Sequence, residues 1–196
     1  MSLEFTASAG APDQFPRDRL PEIAFVGRSN VGKSSLLNAL VSYGRRGIKV
    51  DRKQLAFVSS TPGRTQTINF YKLEGRFYFV DLPGYGFAKA PRSVVDQWRV
   101  LADSYLTDRE PLRLVVLIID GRHGPKPTDE QMKDWLLACQ VPFLVVASKT
   151  DKLKRAQRAE SIRTIEESFY PPLAFSAVTG EGVPELWDAI RKALAL

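Results

Sequence analysis

"GRSNVGKS", residues 27–34, is the stretch that most restricts how this chain can fold. It has the form G-x-x-x-x-G-K-[ST], which makes a phosphate cradle only where it joins a strand to the start of a helix. Both flanks comply. "EIAFV" (22–26) is a short apolar run of the buried-strand type, and "KSSLLNALV" from Lys33 has helical spacing. The chemistry requires this order. Gly27 and Gly32 let the backbone wrap closely, so that the N–H groups of Arg28, Ser29, Asn30 and Val31 face phosphate oxygens. The helix N-terminus adds partial positive charge. Lys33 reaches the β- and γ-phosphates, and the Ser34 hydroxyl is a hard oxygen for Mg²⁺.

The rest of the pattern supplies a sheet for that cradle. "INFYKL" and "RFYFVD" are separated by Glu74-Gly75, a two-residue hairpin signal that makes these strands antiparallel. "LRLVVLIID" (112–120) and "VPFLVVAS" (141–148) are continuous apolar runs of the kind buried in parallel sheets. Helical patterns alternate with them. "SVVDQWRVLADSYL" places Val95, Trp98, Ala102 and Tyr105 near one face. "TDEQMKDWLLAC" carries a capping-box start at Thr128 and Gln131. "RAQRAESIRTIEESF" and "VPELWDAIRKALA", with Pro184 in its first turn, complete the set. The expectation is a three-layer α/β domain of the P-loop NTPase type. Its mostly parallel sheet should have six strands, including one antiparallel hairpin strand. Residues 22–196 should form this single domain, and residues 1–21, with three prolines, an irregular leader.

Three further segments fall where a nucleotide site needs them. "DLPG" follows the second hairpin strand, so Asp81 can hold Mg²⁺ through water. Leu82 and Pro83 lead to Gly84, whose N–H can contact a γ-phosphate. "SKTD" (Ser148, Lys149, Thr150, Asp151) follows the 141–148 strand. The Asp151 carboxylate can accept from both N1–H and the 2-amino group of guanine, whereas adenine would leave it unpaired. Lys149 can lay its stem along the base. "FSA" (Phe175, Ser176, Ala177) follows a short strand, and Ser176 with the Ala177 N–H can meet the O6 edge.

With "EIAFVGRSNVGKSSLLNAL", "SSTPGRTQTINFY", "DLPGYGFA", "SKTD" and "FSA" in this order, the chain resembles the EngB (YihA/YsxC) ribosome-biogenesis GTPases. These belong to the same broad class as Era and the TrmE GTPases. The resemblance runs from about Phe5 to the last helix, and "GRTQTINFY" is its most diagnostic run. It implies a monomeric Ras-like G domain in the bacterial cytoplasm, hydrolysing GTP to GDP. It also implies a role in assembly of the large ribosomal subunit, linked to cell division and septation. Carried over, Gly63, Arg64, Thr65, Gln66 and Thr67 join the GTP site, and Ser34 and Thr65 ligate Mg²⁺. Thr67 is a second candidate for the metal threonine. Lys33, Thr65 and Gly84 would carry catalysis. The family usually has Thr at 148 and Ala at 150, so Ser148 and Thr150 depart from it.

Tyr85 stands where many GTPases place a water-holding glutamine, and a phenol cannot both donate and accept as an amide does. Hydrolysis would then rest on electrostatic stabilisation by Lys33, Mg²⁺ and loop N–H groups, and would be slow. A nucleotide-holding module with negligible turnover is the alternative. Small-molecule kinases also use P-loops but lack the "SKTD" and "DLPG" pair. Asn30 has two readings: it holds K⁺ beside the phosphates, as in related GTPases, or it only accommodates the loop's backbone.

Composition narrows the remainder. Among 196 residues there is one cysteine and one histidine, so an internal disulfide and a thiolate or histidine metal cluster are excluded. Cys139, in "WLLAC", reads as a buried structural thiol, consistent with a reducing cytoplasm. His123 reads as a loop hydrogen-bonder, and Trp98, Trp135 and Trp187 as core or helix-face residues. No apolar run approaches a membrane span. The net charge of +6 is concentrated: 45–53 and 149–158 each hold five bases and one acid. Such patches suit ribosomal RNA, and they equally suit two solvated loops.

Overall fold

The protein is described by a computed structural model over residues 2–44, 67–86 and 92–195. Its strands are β1 (Leu3–Ala9), β2 (Glu22–Gly27), β3 (Ile68–Leu73), β4 (Phe77–Asp81), β5 (Leu112–Asp120), β6 (Phe143–Ser148) and β7 (Leu173–Ala174). Its helices are α1 (Lys33–Gly44), α2 (Arg92–Asp108), α3 (Pro127–Ala138), α4 (Arg155–Ser168) and α5 (Val183–Ala193). Among the described residues the sheet has the order β1-β3-β4-β2-β5-β6-β7. β1–β3 and β3–β4 are antiparallel, and the other four pairings are parallel.

Period-two alternation along the central strands divides the core into two layers. Val116 and Ile118 of β5 pack with Leu36, Leu37 and Leu40 of α1 and with Leu186, Trp187 and Ile190 of α5. Val115 and Leu117 face the opposite way, against Trp98, Leu101 and Tyr105 of α2 and Met132 and Leu136 of α3. Ile119 continues that second face and meets Ile165 of α4. Both faces of the parallel strands are therefore covered, which is why their sequences read as unbroken apolar runs.

Four expectations need correction. The stretch read as an irregular leader contains β1, so the sheet has seven strands and not six. β1 covers the free edge of β3 in a register from Leu3↔Leu73 to Ala9↔Ile68, with an irregularity between Phe5 and Ala7. An uncovered β3 would present unpaired backbone groups to solvent. The following residues are fastened as well. Phe15 packs on Phe70 and edge-on to Tyr105, each at 5.7 Å. Asp18 accepts from Lys72 at 2.8 Å and from Tyr78 at 2.9 Å. Arg109 donates to the Pro16 carbonyl at 2.8 Å and pairs with the fully buried Glu22.

The second correction is at the hairpin. Leu73 faces Phe77, so three residues rather than two connect the strands. The third concerns α3, which begins at Pro127 instead of Thr128. Its box is made by Asp129, whose carboxylate accepts the Lys126 N–H at 2.8 Å. Pro at the first helical position and an acid in the first turn are the stronger start signal. Cys139, expected to be buried, is half-buried at the end of α3.

Candidate functional site

β4 and β5 flank the central β2, so the direction of chain travel across the sheet reverses there. In an open α/β sheet, the crevice beyond the carboxyl ends at that point receives the ligand. The candidate segments converge on this rim. Residues 27–34 leave β2 for α1, Asp81 ends β4, Asp120 ends β5, Ser148 ends β6, and 175–177 follow β7.

The cradle is built by close backbone approach. A Cβ on Gly27 would sit 2.8 Å from the Ile118 carbonyl oxygen and 2.9 Å from Val31 Cγ1. Gly32 has φ +102°, a conformation that L side chains resist. A Cβ on Gly84 would lie 3.2 Å from the Ser29 amide nitrogen, so 81–86 runs directly against the loop. The contact is tied by backbone bonds. Tyr85 N–H donates to the Gly27 carbonyl at 3.2 Å, and Ser29 N–H donates to the Tyr85 carbonyl at 3.1 Å. Together they extend the β2–β4 pairing by one parallel bridge, Arg28 to Tyr85.

At the start of α1, Lys33 Nζ pairs with the Asp81 carboxylate. Burial pulls the Lys33 ammonium below the usual lysine range. The touching carboxylate works the other way, favouring the charged form. Ser34 is half-buried on the next residue of α1. The Ser34 hydroxyl and Asp81 carboxylate are oxygen donors, which suits a hard cation such as Mg²⁺. Asn30 is exposed with φ +64°, which an asparagine tolerates better than most residues. That backbone is the reading of Asn30 for which the structure supplies an observation.

The rim around Asp151 is held by side chains. Ser148 Oγ lies 2.7 Å from the Val31 carbonyl and 3.1 Å from that of Ile119, joining the end of β6 to the cradle. Lys149, at φ +59°, runs its stem past Gly32. Its ammonium touches the Asn30 carbonyl and sits 2.9 Å from Asp120 Oδ2. Thr150 is buried, with its hydroxyl 3.0 Å from the Phe175 carbonyl and 2.9 Å from Glu181 Oε2. Asp151 accepts from the Ser176 hydroxyl at 2.7 Å. That bond, with Lys152 adding to it, draws the Asp151 carboxyl below its ordinary range. Ser176 Oγ in turn accepts from the Val178 and Thr179 N–H groups, which fixes its orientation. Ala177 is exposed beside it.

Tyr85 is buried, and its hydroxyl donates to Asp129 Oδ1 at 2.7 Å. Burial first, then the nearby carboxylate, pushes the phenol far above its usual range. It is therefore no proton acceptor. Among the 63–67 candidates, Gly63, Arg64, Thr65 and Gln66 lie outside the described residues, as does the basic stretch 45–53. Thr67 is described: its hydroxyl accepts from Ser8 at 2.7 Å and lies 3.3 Å from Asn69 Oδ1.

The second basic stretch is largely neutralised by its neighbours. Lys149 pairs with Asp120, Lys152 with Asp151, and Arg158 with Glu181. Lys154 and Arg155 are its exposed cations without an ion pair among the described residues. Asp120, Arg158 and Glu181 were not anticipated as parts of the site. The signal for Asp120 was present, since "LIID" ends a strand in Asp just as "FYFVD" does. Burial alone would raise Asp120, but hydrogen bonds from Arg122 and Lys149 outweigh it and hold the carboxyl at about 2. No helix among the described residues is long and apolar enough to cross a membrane.

Residues 22–149 match the model of a family described as 50S ribosome-binding GTPase. A protein of Solibacter usitatus named "Probable GTP-binding protein EngB" is 51% identical over 194 residues, covering 99% of this chain and 97% of its own. The Thermotoga petrophila protein of the same name is 42% identical, covering 98% and 96%. Among solved structures, a crystal structure of a probable GTP-binding protein engB superimposes with TM-score 0.67 at 28% identity, covering 89% of this chain and 98% of that one. Era in complex with MgGDPNP and nucleotides 1506–1542 of 16S ribosomal RNA gives TM-score 0.61 at 25% identity, covering 88% and 56%.

Proposed function

The chain belongs to the EngB family of GTP-binding proteins, and from that premise we propose that it is a GTP-hydrolysing switch acting in assembly of the large ribosomal subunit. The link to cell division and septation, the cytoplasmic location and the monomeric state are part of the same reading. The observation that carries it is the placing of Asp151 and Ser176 on the same rim as the glycine cradle, joined to it through Ser148 and Lys149. A guanine read by Asp151 would put its phosphates along 27–34. There Lys33 and the loop N–H groups meet the charge on the transferring phosphoryl group. Ser34, Thr65 and Asp81 (the last through water) would hold Mg²⁺, which when bound neutralises charge between the β- and γ-oxygens. The Gly84 N–H would sense the γ-phosphate, and the remaining residues of 63–67 would complete the site.

Turnover should be slow. The Tyr85 hydroxyl is committed to Asp129 and has no amide to orient water. The same observation favours the second reading, a module that holds GTP with negligible hydrolysis. Single-turnover hydrolysis by the purified protein separates the two. Release of phosphate well above the solution rate supports the switch, and none above it supports the module. Running the assay in K⁺ and in Na⁺ at equal ionic strength tests the K⁺ role of Asn30, which equal rates would remove. Co-sedimentation with large-subunit particles should be tighter with GTP than with GDP and should weaken steeply with salt, as expected for contact with ribosomal RNA through 45–53 and Lys154–Arg155. Particle binding that ignores the nucleotide would leave a GTPase but not this switch.

A further inference from the structure

Gly84 matters for what lies on its two sides, and those neighbours are gripped from behind. The Trp98 indole N–H of α2 donates to the Pro83 carbonyl at 3.0 Å, in a buried position. The Tyr85 hydroxyl reaches Asp129 of α3 at 2.7 Å. Asp129 is only 1% exposed, and its other oxygen is held by the Lys126 N–H, so the acceptor is fixed to the start of α3. Residues 83 and 85 are thus each tied to a different helix, with the sensing amide between them.

Packing holds them only in part, because Tyr85 and Trp98, although buried, also line an open space. Behind 84–86, between α2 and α3, lies a cavity of about 580 Å³ bounded by Tyr85, Trp98, Met132 and Trp135. A wall that faces a cavity lacks the dispersion contacts of a close-packed core. On that side the segment's directed hydrogen bonds add to this partial packing. On the other side, 3.2 Å separates the Ser29 nitrogen from where a Gly84 side chain would begin, so a small shift of 83–85 alters the cradle's geometry directly. Trp98 and Trp135 meet edge-on at 6.0 Å, and the Trp135 N–H donates to Asp103 of α2 at 3.2 Å, which cross-links the two helices below the grip.

We propose that Trp98 and Asp129 are positioning residues for the γ-phosphate sensor, holding Pro83 and Tyr85 so that the Gly84 N–H faces the terminal phosphate. This rests on the GTPase reading above. Neither residue touches nucleotide; each acts through the backbone of 83–85. The consequence is selective. GDP does not reach Gly84, so the two ties should govern discrimination between GTP and GDP and leave the affinity for GDP nearly alone.

The test uses Tyr85→Phe, which removes only the hydroxyl, and Trp98→Phe, which removes the indole N–H and keeps a ring. Affinities for GDP and for a non-hydrolysable GTP analogue are measured with single-turnover hydrolysis and thermal midpoints. We expect GDP affinity within about twofold of wild type, and analogue affinity and hydrolysis both reduced about tenfold, the effect of losing one directed hydrogen bond. The double variant should fall further than either. Equal weakening of GDP and the analogue, or a lowered thermal midpoint with an unchanged GTP-to-GDP ratio, would reduce the ties to ordinary structural bonds and overturn the proposal. No change in any readout would overturn it too. Should Trp98→Phe fail to fold, Tyr85→Phe still decides. Failure of the wild-type protein to bind guanine nucleotide would instead overturn the GTPase reading. In a wild type that binds but does not hydrolyse, the ratio of analogue to GDP affinity decides alone.

Discussion

The two ends of the candidate nucleotide site are held by opposite means. At the phosphate end the loop is tied backbone to backbone, Tyr85 to Gly27 and Ser29 to Tyr85, with glycines where a side chain would intrude and the Lys33–Asp81 pair as the side-chain contact. At the base end the contacts are made by side chains. Ser148 holds the Val31 carbonyl, Thr150 bridges Phe175 and Glu181, and Ser176 orients Asp151. Phosphate would be met by the directions of N–H groups together with the Lys33 ammonium, and a side chain at the glycine positions would obstruct. Guanine would be recognised by a charged acceptor at a fixed point, and that point must be held by other polar groups. The phosphate end should break when an atom is added, and the base end when one is removed.

The largest effect should come from adding one carbon. Gly27→Ala places a Cβ 2.8 Å from the Ile118 carbonyl oxygen, which is backbone and cannot swing aside. Overpacking of this kind costs ~1–3 kcal/mol. Taken from binding, ~3 kcal/mol is about 100-fold in affinity. Titration should show GTP, GDP and XTP weakened alike, because the damage is independent of the base. Wild-type GDP affinity in this variant would break the comparison at the phosphate end.

Asp151→Asn changes one atom at the other end and should be nearly as severe for GTP, yet selective. The amide keeps one acceptor but turns a donor toward the guanine 2-amino group. A hydrogen bond to a charged acceptor worth ~1.5–3 kcal/mol is lost, so GTP affinity should fall roughly 10- to 100-fold. XTP, with an oxygen in place of the 2-amino group, should gain. Competition binding with the two triphosphates reads this directly. A variant that still prefers GTP would mean Asp151 does not read the base.

The two ends also differed in how far the sequence disclosed them. Glycines at fixed spacing between a strand and a helix state their purpose locally, so 27–34 could be read without knowing the rest. The Asp151 carboxylate was legible from its place at a strand end, but what holds it was not. Glu181 lies 31 residues from Thr150, and Arg158 reaches it from α4. Contacts at that separation depend on tertiary packing. The same holds for Tyr85 and Asp129, 44 residues apart. β1 was missed for a different reason. Its Phe5 is 58% exposed and most of its positions face solvent, because an edge strand buries little. The alternation of Leu3, Phe5, Ala7 and Ala9 was the signal available.

A smaller effect tests the supports of the base end. Thr150→Val keeps the shape and removes the hydroxyl between the Phe175 carbonyl and Glu181. The Phe175 carbonyl retains the Thr150 N–H at 3.3 Å, so one bond is lost and not the whole joint. Stability should fall by ~1 kcal/mol. Affinity for GTP should drop about three- to tenfold, while affinity for inorganic triphosphate stays level. If triphosphate weakens as much as GTP, the two ends are not separately held.

The smallest effect concerns the joint between them. Lys149 touches the Asn30 carbonyl on the phosphate side and Asp120 behind the base side, and Asp120 also takes Arg122. The Asp120 carboxyl is held at about 2, below an ordinary aspartate near ~3.9. A depressed carboxylate binds its proton more readily when the chain is unfolded. Its contribution to stability is therefore present above pH ~4 and is lost as pH falls from there toward 2. Solvent reaches both cations, so the amount is well short of what the shift alone would suggest. Urea midpoints taken at pH 5, 4 and 3 should fall for the wild type and fall less steeply for Asp120→Asn. Identical slopes would show that Asp120 contributes nothing to acid sensitivity. In that case the joint rests on Ser148 and on the Lys149–Asn30 contact, and replacing Ser148 with Ala should weaken GTP and triphosphate together.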